Sequence, residues 1–149
     1  MPVLTGSSSA EIDAPIERCW ALVQDVLSAP QWQRGLESVA VVERDQHGRP
    51  LVCDTVSDAK ITQVHCRVRF DYQPPRRLSW TQVQSDDLDS MEGSWELEDL
   101  GSGRTRVTYA LAVDPGPIGF LARPLERLIR PLVLGGRAEE LGTALAARA

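Results

Sequence analysis

Residues 90–113, SMEGSWELEDLGSGRTRVTYALAV, are two alternating runs joined by a turn. Met91, Gly93, Trp95 and Leu97 fall on one face; Glu92, Ser94, Glu96 and Glu98 fall on the other. After the LGSGR turn, Thr105, Val107, Tyr109, Leu111 and Val113 continue against Arg104, Arg106, Thr108, Ala110 and Ala112. A period of two over this length predicts a hairpin in a sheet with one wet and one buried face. The buried face carries two large aromatics and a glycine. Glycine inside a strand marks a bulge, a bend or a close approach. A bent sheet lined with large side chains can enclose something other than its own core.

Outward from this hairpin the same grammar repeats. Residues 3–12 read as a first strand. Asp13-Ala14-Pro15 opens a helix, with proline near the first helical position and Glu17 in the first turn. Ile16, Trp20, Val23 and Leu27 follow helical spacing beside Cys19. SAPQWQRGL then predicts a second short helix ending near Gly35. Strands follow at 38–44, 51–57, 61–72 and 77–84, with DQHGRP and Pro74-Pro75 as breaks. This spacing with turn signals predicts an antiparallel meander. After Asp114-Pro115-Gly116-Pro117 the chain is helical in character, with a stripe of Leu121, Leu125, Leu128, Ile129 and Leu132. Pro124, Pro131 and Gly135-Gly136 interrupt it, so the last segment is expected to start near Arg137.

The totals exclude several classes. A length of 149 residues predicts one domain, spanning 1–149. A net charge of -5 argues against nucleic-acid binding, which needs a basic surplus. The sign is uneven: residues 117–149 hold five Arg against three Glu, so the tail is +2 and the remainder -7. Cys19, Cys53 and Cys66 cannot all pair internally and form no CxxC, which reads as reduced thiols in a cytoplasmic protein. The N-terminus lacks a basic start and an apolar run, and no stretch approaches a membrane span. Lys60 is the single lysine, a usage that fits a GC-rich bacterial genome.

The order of elements, IDAPIERCWALVQDVLSAPQWQRGLESV, then PRRLSW, then MEGSWELEDLGSGRTRVTYALAVDP, resembles the START-like (SRPBCC) superfamily. The closest likeness is to its polyketide cyclase/dehydrase and lipid-transport branch, and it covers roughly residues 5–145. The resemblance implies an α+β helix-grip, Bet v 1-like fold. In it a curved seven-stranded antiparallel sheet wraps a long C-terminal helix, with two short helices between strands 1 and 2. It also implies binding or transport of a lipid, quinone or polyketide-like molecule between sheet and helix. These motifs are packing and turn residues, so they specify fold better than chemistry.

The wet face of the sheet carries His65, Arg67, Arg69, Glu92, Glu96, Arg104 and Arg106. The opposite face carries Phe70, Tyr72, Leu78, Trp80, Met91, Trp95, Tyr109 and Leu111. Such an interior suits a closed core as well as a hollow; the family likeness favours the hollow. The expected cavity set is Trp32, Cys53, Thr55, Cys66, Phe70, Trp80, Gln82, Met91, Trp95, Tyr109 and Leu111, with Phe120, Leu121, Leu125 and Leu128 from the helical tail. Gln82 and Gln84 share the parity of Leu78 and Trp80, and Tyr109 brings a hydroxyl; ordinary hydrogen bonding within the sheet is the plainer role for both types. On strand 51–57 either Leu51, Cys53, Thr55 and Ser57 point inward or Val52, Asp54, Val56 and Asp58 do. Unpaired burial of Asp54 and Asp58 is costly, which favours the first parity. Trp20 and Trp32 read as packing anchors, with Trp32 near the opening.

Chemistry is sparse. His47 sits in a turn and His65 on the wet face, so neither reaches a buried substrate. No nucleophile triad, phosphate loop or metal-ligand spacing is present, and no metal or cofactor is expected. The catalytic candidates are Tyr109 and Asp54, as acids whose ionisation burial would shift. Three functions therefore stay open: a carrier of a small apolar or amphipathic molecule, an aromatase/cyclase or dehydratase, and a membrane- or ribosome-associated interaction module. The last rests on IGFLARPLERLIRPLVL, where Arg123, Arg127 and Arg130 among leucines suit peripheral contact with anionic lipid through residues 118–134.

Overall fold

Seven strands form one antiparallel sheet in the computed structural model, which describes residues 4–58, 63–114 and 136–148. The strands are β1 (Leu4–Ile12), β2 (Leu36–Arg44), β3 (Pro50–Asp58), β4 (Gln63–Gln73), β5 (Arg77–Gln84), β6 (Ser90–Gly101) and β7 (Arg104–Asp114). Their spatial order is β1-β7-β6-β5-β4-β3-β2, so every strand from β2 to β7 neighbours the next in sequence and β1 closes onto β7. Helix α1 (Ile16–Val23) and a 3₁₀ segment (Val26–Gln31) lie between β1 and β2, and helix α2 (Arg137–Ala147) ends the described chain. This is the curved sheet with a C-terminal helix of the helix-grip fold. The expected strands agree with it to within a few residues.

The hairpin of β6 and β7 runs as the alternation requires, with Met91 opposite Val113, Trp95 opposite Tyr109 and Leu97 opposite Val107. Its turn uses Gly101, Ser102 and Gly103, all with positive φ, where glycine relieves the Cβ clash. On the convex face Arg104 and Arg106 pair with Glu11, Arg106 also with Glu98, and Arg77 with Glu96. Exposed pairs of this kind contribute less than about 1 kcal/mol each.

Helix α1 buries Ile16, Cys19, Leu22 and Val23. The apolar stripe was expected to continue to Leu27, which instead is 40% exposed. The helix stops at Val23, and the next segment is 3₁₀, from Val26 rather than Ser28. Pro30 lacks an N–H, and the bonds there run i to i+3, from Ser28 N–H to Asp25 O and from Trp32 N–H to Ala29 O. The tighter winding changes the phase of the stripe.

A second departure lies on β5. Arg67 pairs with Gln84 while its neighbour Val68 pairs with Gln82, so Val83 is an unmatched bulge residue. One extra residue reverses the parity beyond it. Gln84 therefore joins the wet face opposite Arg67 and is exposed, contrary to the inward parity expected of it. Residues 118–134, and with them Phe120, Leu121, Leu125, Leu128 and the basic stripe, lie outside the described residues.

Candidate functional site

Register assembles the inner face into rows. One row runs Phe70, Trp80, Gly93, Leu111 and Gly6 across β4, β5, β6, β7 and β1. The next runs Tyr72, Leu78, Trp95, Tyr109 and Ser8. Phe70 and Trp80 are neighbours in the first row and Trp95 and Tyr109 in the second, and Gly93 has a specific task. A Cβ there would lie 2.5 Å from Cε2 of Trp80 and 2.8 Å from its Nε1, so the indole lies directly across the glycine. Trp80 stands 6.2 Å from Phe70 and 5.8 Å from Tyr109, and Tyr109 is 4.9 Å from Trp95, centroid to centroid. These are tilted aromatic contacts within the favourable range.

Above these rows lies a hollow of about 170 Å³. Phe70, Trp80, Met91, Trp95 and Leu111 form its apolar floor, while Val26 and Ala29 approach from the 3₁₀ segment. Thr55, Cys66 and Tyr109 also line it. The engineered cavity that admits benzene is of comparable size, about 150 Å³.

Eight of the expected cavity residues therefore lie on the wall: Thr55, Cys66, Phe70, Trp80, Met91, Trp95, Tyr109 and Leu111. Three do not. Cys53 points inward as its parity requires but is fully buried in the core under its neighbours. Gln82 is spent on structure: its amide N–H donates to Leu88 O at 3.0 Å and its carbonyl accepts from Cys66 Sγ. Trp32 packs on Trp95 at 5.7 Å, behind the wall rather than on it. The inward parity of β3 holds, with Thr55 and Ser57 on the cavity and the exposed Asp58 joining them at the strand end.

Asp54, named as a catalytic candidate, does not line the hollow. It lies on the convex face, half exposed, where Arg67 Nε and Nη2 donate to its two oxygens at 2.8 and 3.1 Å. That guanidinium holds the carboxyl below its usual range, the opposite of what a buried acid needs. Tyr109 is inside: burial raises its phenol above the ordinary value, with Arg137 partly opposing the shift. It therefore stands protonated, as a hydrogen-bond donor rather than a base. Burial also raises the Cys66 thiol, so that wall group is neutral and a poor nucleophile.

Sequence reasoning missed Arg137. It opens α2 and is only 6% exposed, yet it lines the hollow. The register explains its place. Ser8 is the partner of Tyr109 on β1, and the Ser8 hydroxyl accepts the Ala138 N–H at 3.2 Å. That bond pins the start of α2 beside Tyr109, and the guanidinium lies 5.6 Å from the tyrosine ring centroid. Nη1 donates to Glu140 Oε1 at 2.8 Å, and Glu140 Oε2 is held by the Arg34 N–H. The signal available in the sequence was a lone Arg just after Gly135-Gly136, at a helix start where a cation opposes the helix dipole.

A helix-grip sheet closing over an apolar, aromatic-floored hollow is the frame of a small-molecule binding fold. The chain belongs to the polyketide cyclase / dehydrase and lipid transport family, whose model matches residues 4–149. Among solved structures it is similar to a START superfamily protein from Mycobacterium smegmatis, with a TM-score of 0.80, 19% identity and coverage of 97% of this chain and 99% of that one. It is similar also to the Zhui aromatase/cyclase from Streptomyces sp. R1128, with a TM-score of 0.81, 18% identity and coverage of 99% and 96%. A protein from Thermus thermophilus aligns with a TM-score of 0.77, 24% identity and coverage of 98% and 100%. At these identities the likeness establishes the fold. No curated protein matches the sequence.

Proposed function

We propose that this protein binds a small apolar or amphipathic molecule, of lipid, quinone or polyketide character, in the hollow above the sheet. The observation that carries the reading is the hollow of about 170 Å³ floored by Phe70, Trp80, Met91, Trp95 and Leu111. A core filled by its own side chains would leave no such space. Affinity would come from burying ligand surface, at about 25 cal/mol per Å² before ordering costs. Native mass spectrometry after gentle purification, and titration with lipids, quinones and naphthalene, test it. A ligand at 100 times its dissociation constant stabilises by about 2.7 kcal/mol. For a domain of this size that raises Tm by roughly 5–10 °C. Failure of every apolar probe to bind or to raise Tm sinks the reading.

A second reading is an aromatase/cyclase or dehydratase. The family description and the likeness to the Zhui aromatase/cyclase support it. The cavity shape would fold the substrate and Tyr109 would donate a proton or a hydrogen bond to a carbonyl oxygen. Product formation from a polyketide-like chain, lost in Y109F with the fold intact, distinguishes it from carriage alone. Equal rates with Y109F remove Tyr109 from the chemistry.

A further inference from the structure

We propose that Arg137 is the polar anchor of the hollow, and that the molecule bound there carries a carboxylate at the end of an apolar, aromatic-sized body. The inference deepens the binding reading above and rests on it.

The argument is one of unexplained cost. A cation at a helix N-terminus opposes the helix dipole, and burial adds a desolvation penalty. Arg137 meets both conditions, at the first position of α2 and with a side chain only 7% exposed. A guanidinium has five N–H donors. Glu140 takes one of them, at Nη1, and Arg137 Nε is buried with no acceptor among the described residues. An orphan charged donor is expensive in an apolar surrounding. Glu140 and the Tyr109 ring, 5.6 Å from the guanidinium, answer only part of the cation, and α2 has ties of its own through the Ser8 hydroxyl and the packing of Ala138, Leu141 and Leu145. Arg137 lines the hollow next to Tyr109, with Trp80, Leu111 and Met91 along the same floor. A planar fork of donors at one end of an apolar space matches a carboxylate with a ring behind it. At about 170 Å³ the hollow is of a size to take a body of one or two fused rings.

Binding of 2-naphthoate and of naphthalene to the full chain, read by calorimetry or by intrinsic tryptophan fluorescence, tests this. Wild type is expected to hold 2-naphthoate about tenfold or more tighter than naphthalene, the size of a hydrogen bond to a charged group. The R137Q variant is expected to lose that preference, holding 2-naphthoate no tighter than naphthalene. The double variant R137M/E140Q guards against misfolding. It removes both charges, an exchange that buried pairs tolerate, and leaves a carbonyl for the Arg34 N–H. It should show the same loss. Equal affinity of wild type for the two probes overturns the inference and leaves the binding reading standing. So does a preference that survives in either variant. If neither probe binds wild type, the inference falls together with the reading beneath it.

Discussion

Replacing Gly93 by alanine tests whether the indole of Trp80 really occupies the space over β6. The added methyl would stand 2.5 Å from Cε2 and 2.8 Å from Nε1 of that ring. Carbon contacts settle at about 3.5–4.0 Å, so the ring must move by about 1 Å. Phe70 at 6.2 Å and Tyr109 at 5.8 Å flank it along the sheet, which leaves the hollow as the way out. Overpacking of this kind costs about 1–3 kcal/mol. Gly93 has no positive φ, so alanine also gains about 0.4–1 kcal/mol by restricting the unfolded chain. The net expectation is a loss of up to about 2.5 kcal/mol and a fall in Tm of up to roughly 10 °C. Naphthalene affinity should fall as well, because the displaced ring takes up ligand space. A double-mutant cycle with W80A isolates the contact: in that background G93A should become neutral or stabilising. If G93A raises Tm in the wild-type background, or costs the same with and without Trp80, the packing argument fails.

Other outcomes follow from the same geometry. Tyr72 and Tyr109 are the only tyrosines, and burial pushes both phenols up; at pH 10 the native protein should show less tyrosinate absorbance at 295 nm than the urea-unfolded chain, in which about half of the phenols are ionised. Stability should fall on the alkaline side. Burial pushes the Cys53 thiol up to about 11, and a raised folded pKa gives a contribution that is whole below the unfolded value near 8.5 and lost as pH rises through 11. Urea midpoints that stay level from pH 8 to 11 would contradict this. D54N should change stability by less than about 1 kcal/mol and leave ligand binding unaltered, since its carboxylate faces Arg67 on the convex side; loss of binding in D54N would return that residue to the site. L141A, at a fully buried position on α2, should cost about 2–5 kcal/mol by denaturant unfolding, and a cost below about 1 kcal/mol would mean that α2 does not close the core.

Much of this molecule is local in origin. Alternation along β4, β6 and β7 assigns Phe70, Tyr72, Met91, Trp95, Tyr109 and Leu111 to one face, because side chains on a strand point to opposite sides in turn. Turn chemistry places the hairpin at Gly101 and Gly103 in the same way. The cost of burying bare carboxylates was enough to orient Thr55 and Ser57 inward. Those rules need only a residue and its neighbours in the chain.

What the tertiary structure alone decided depends on pairings across long stretches of sequence. The bulge at Val83 turned Gln84 outward, and a bulge arises from the match between two strands, not from either one. Asp54, already turned outward by parity, found Arg67 as its partner across β3 and β4, which only the register supplies. Gln82 was drawn into bonds with Leu88 and Cys66 rather than left to face a guest. Arg137 was brought beside Tyr109 by the hydroxyl of Ser8, 130 positions from the Ala138 N–H it accepts, and the place of Ser8 was itself fixed by β1 pairing with β7. Whether the inner face is filled or hollow belongs to the same class. It depends on the curvature of seven strands and the reach of the elements laid over them, and packing is a property of their sum.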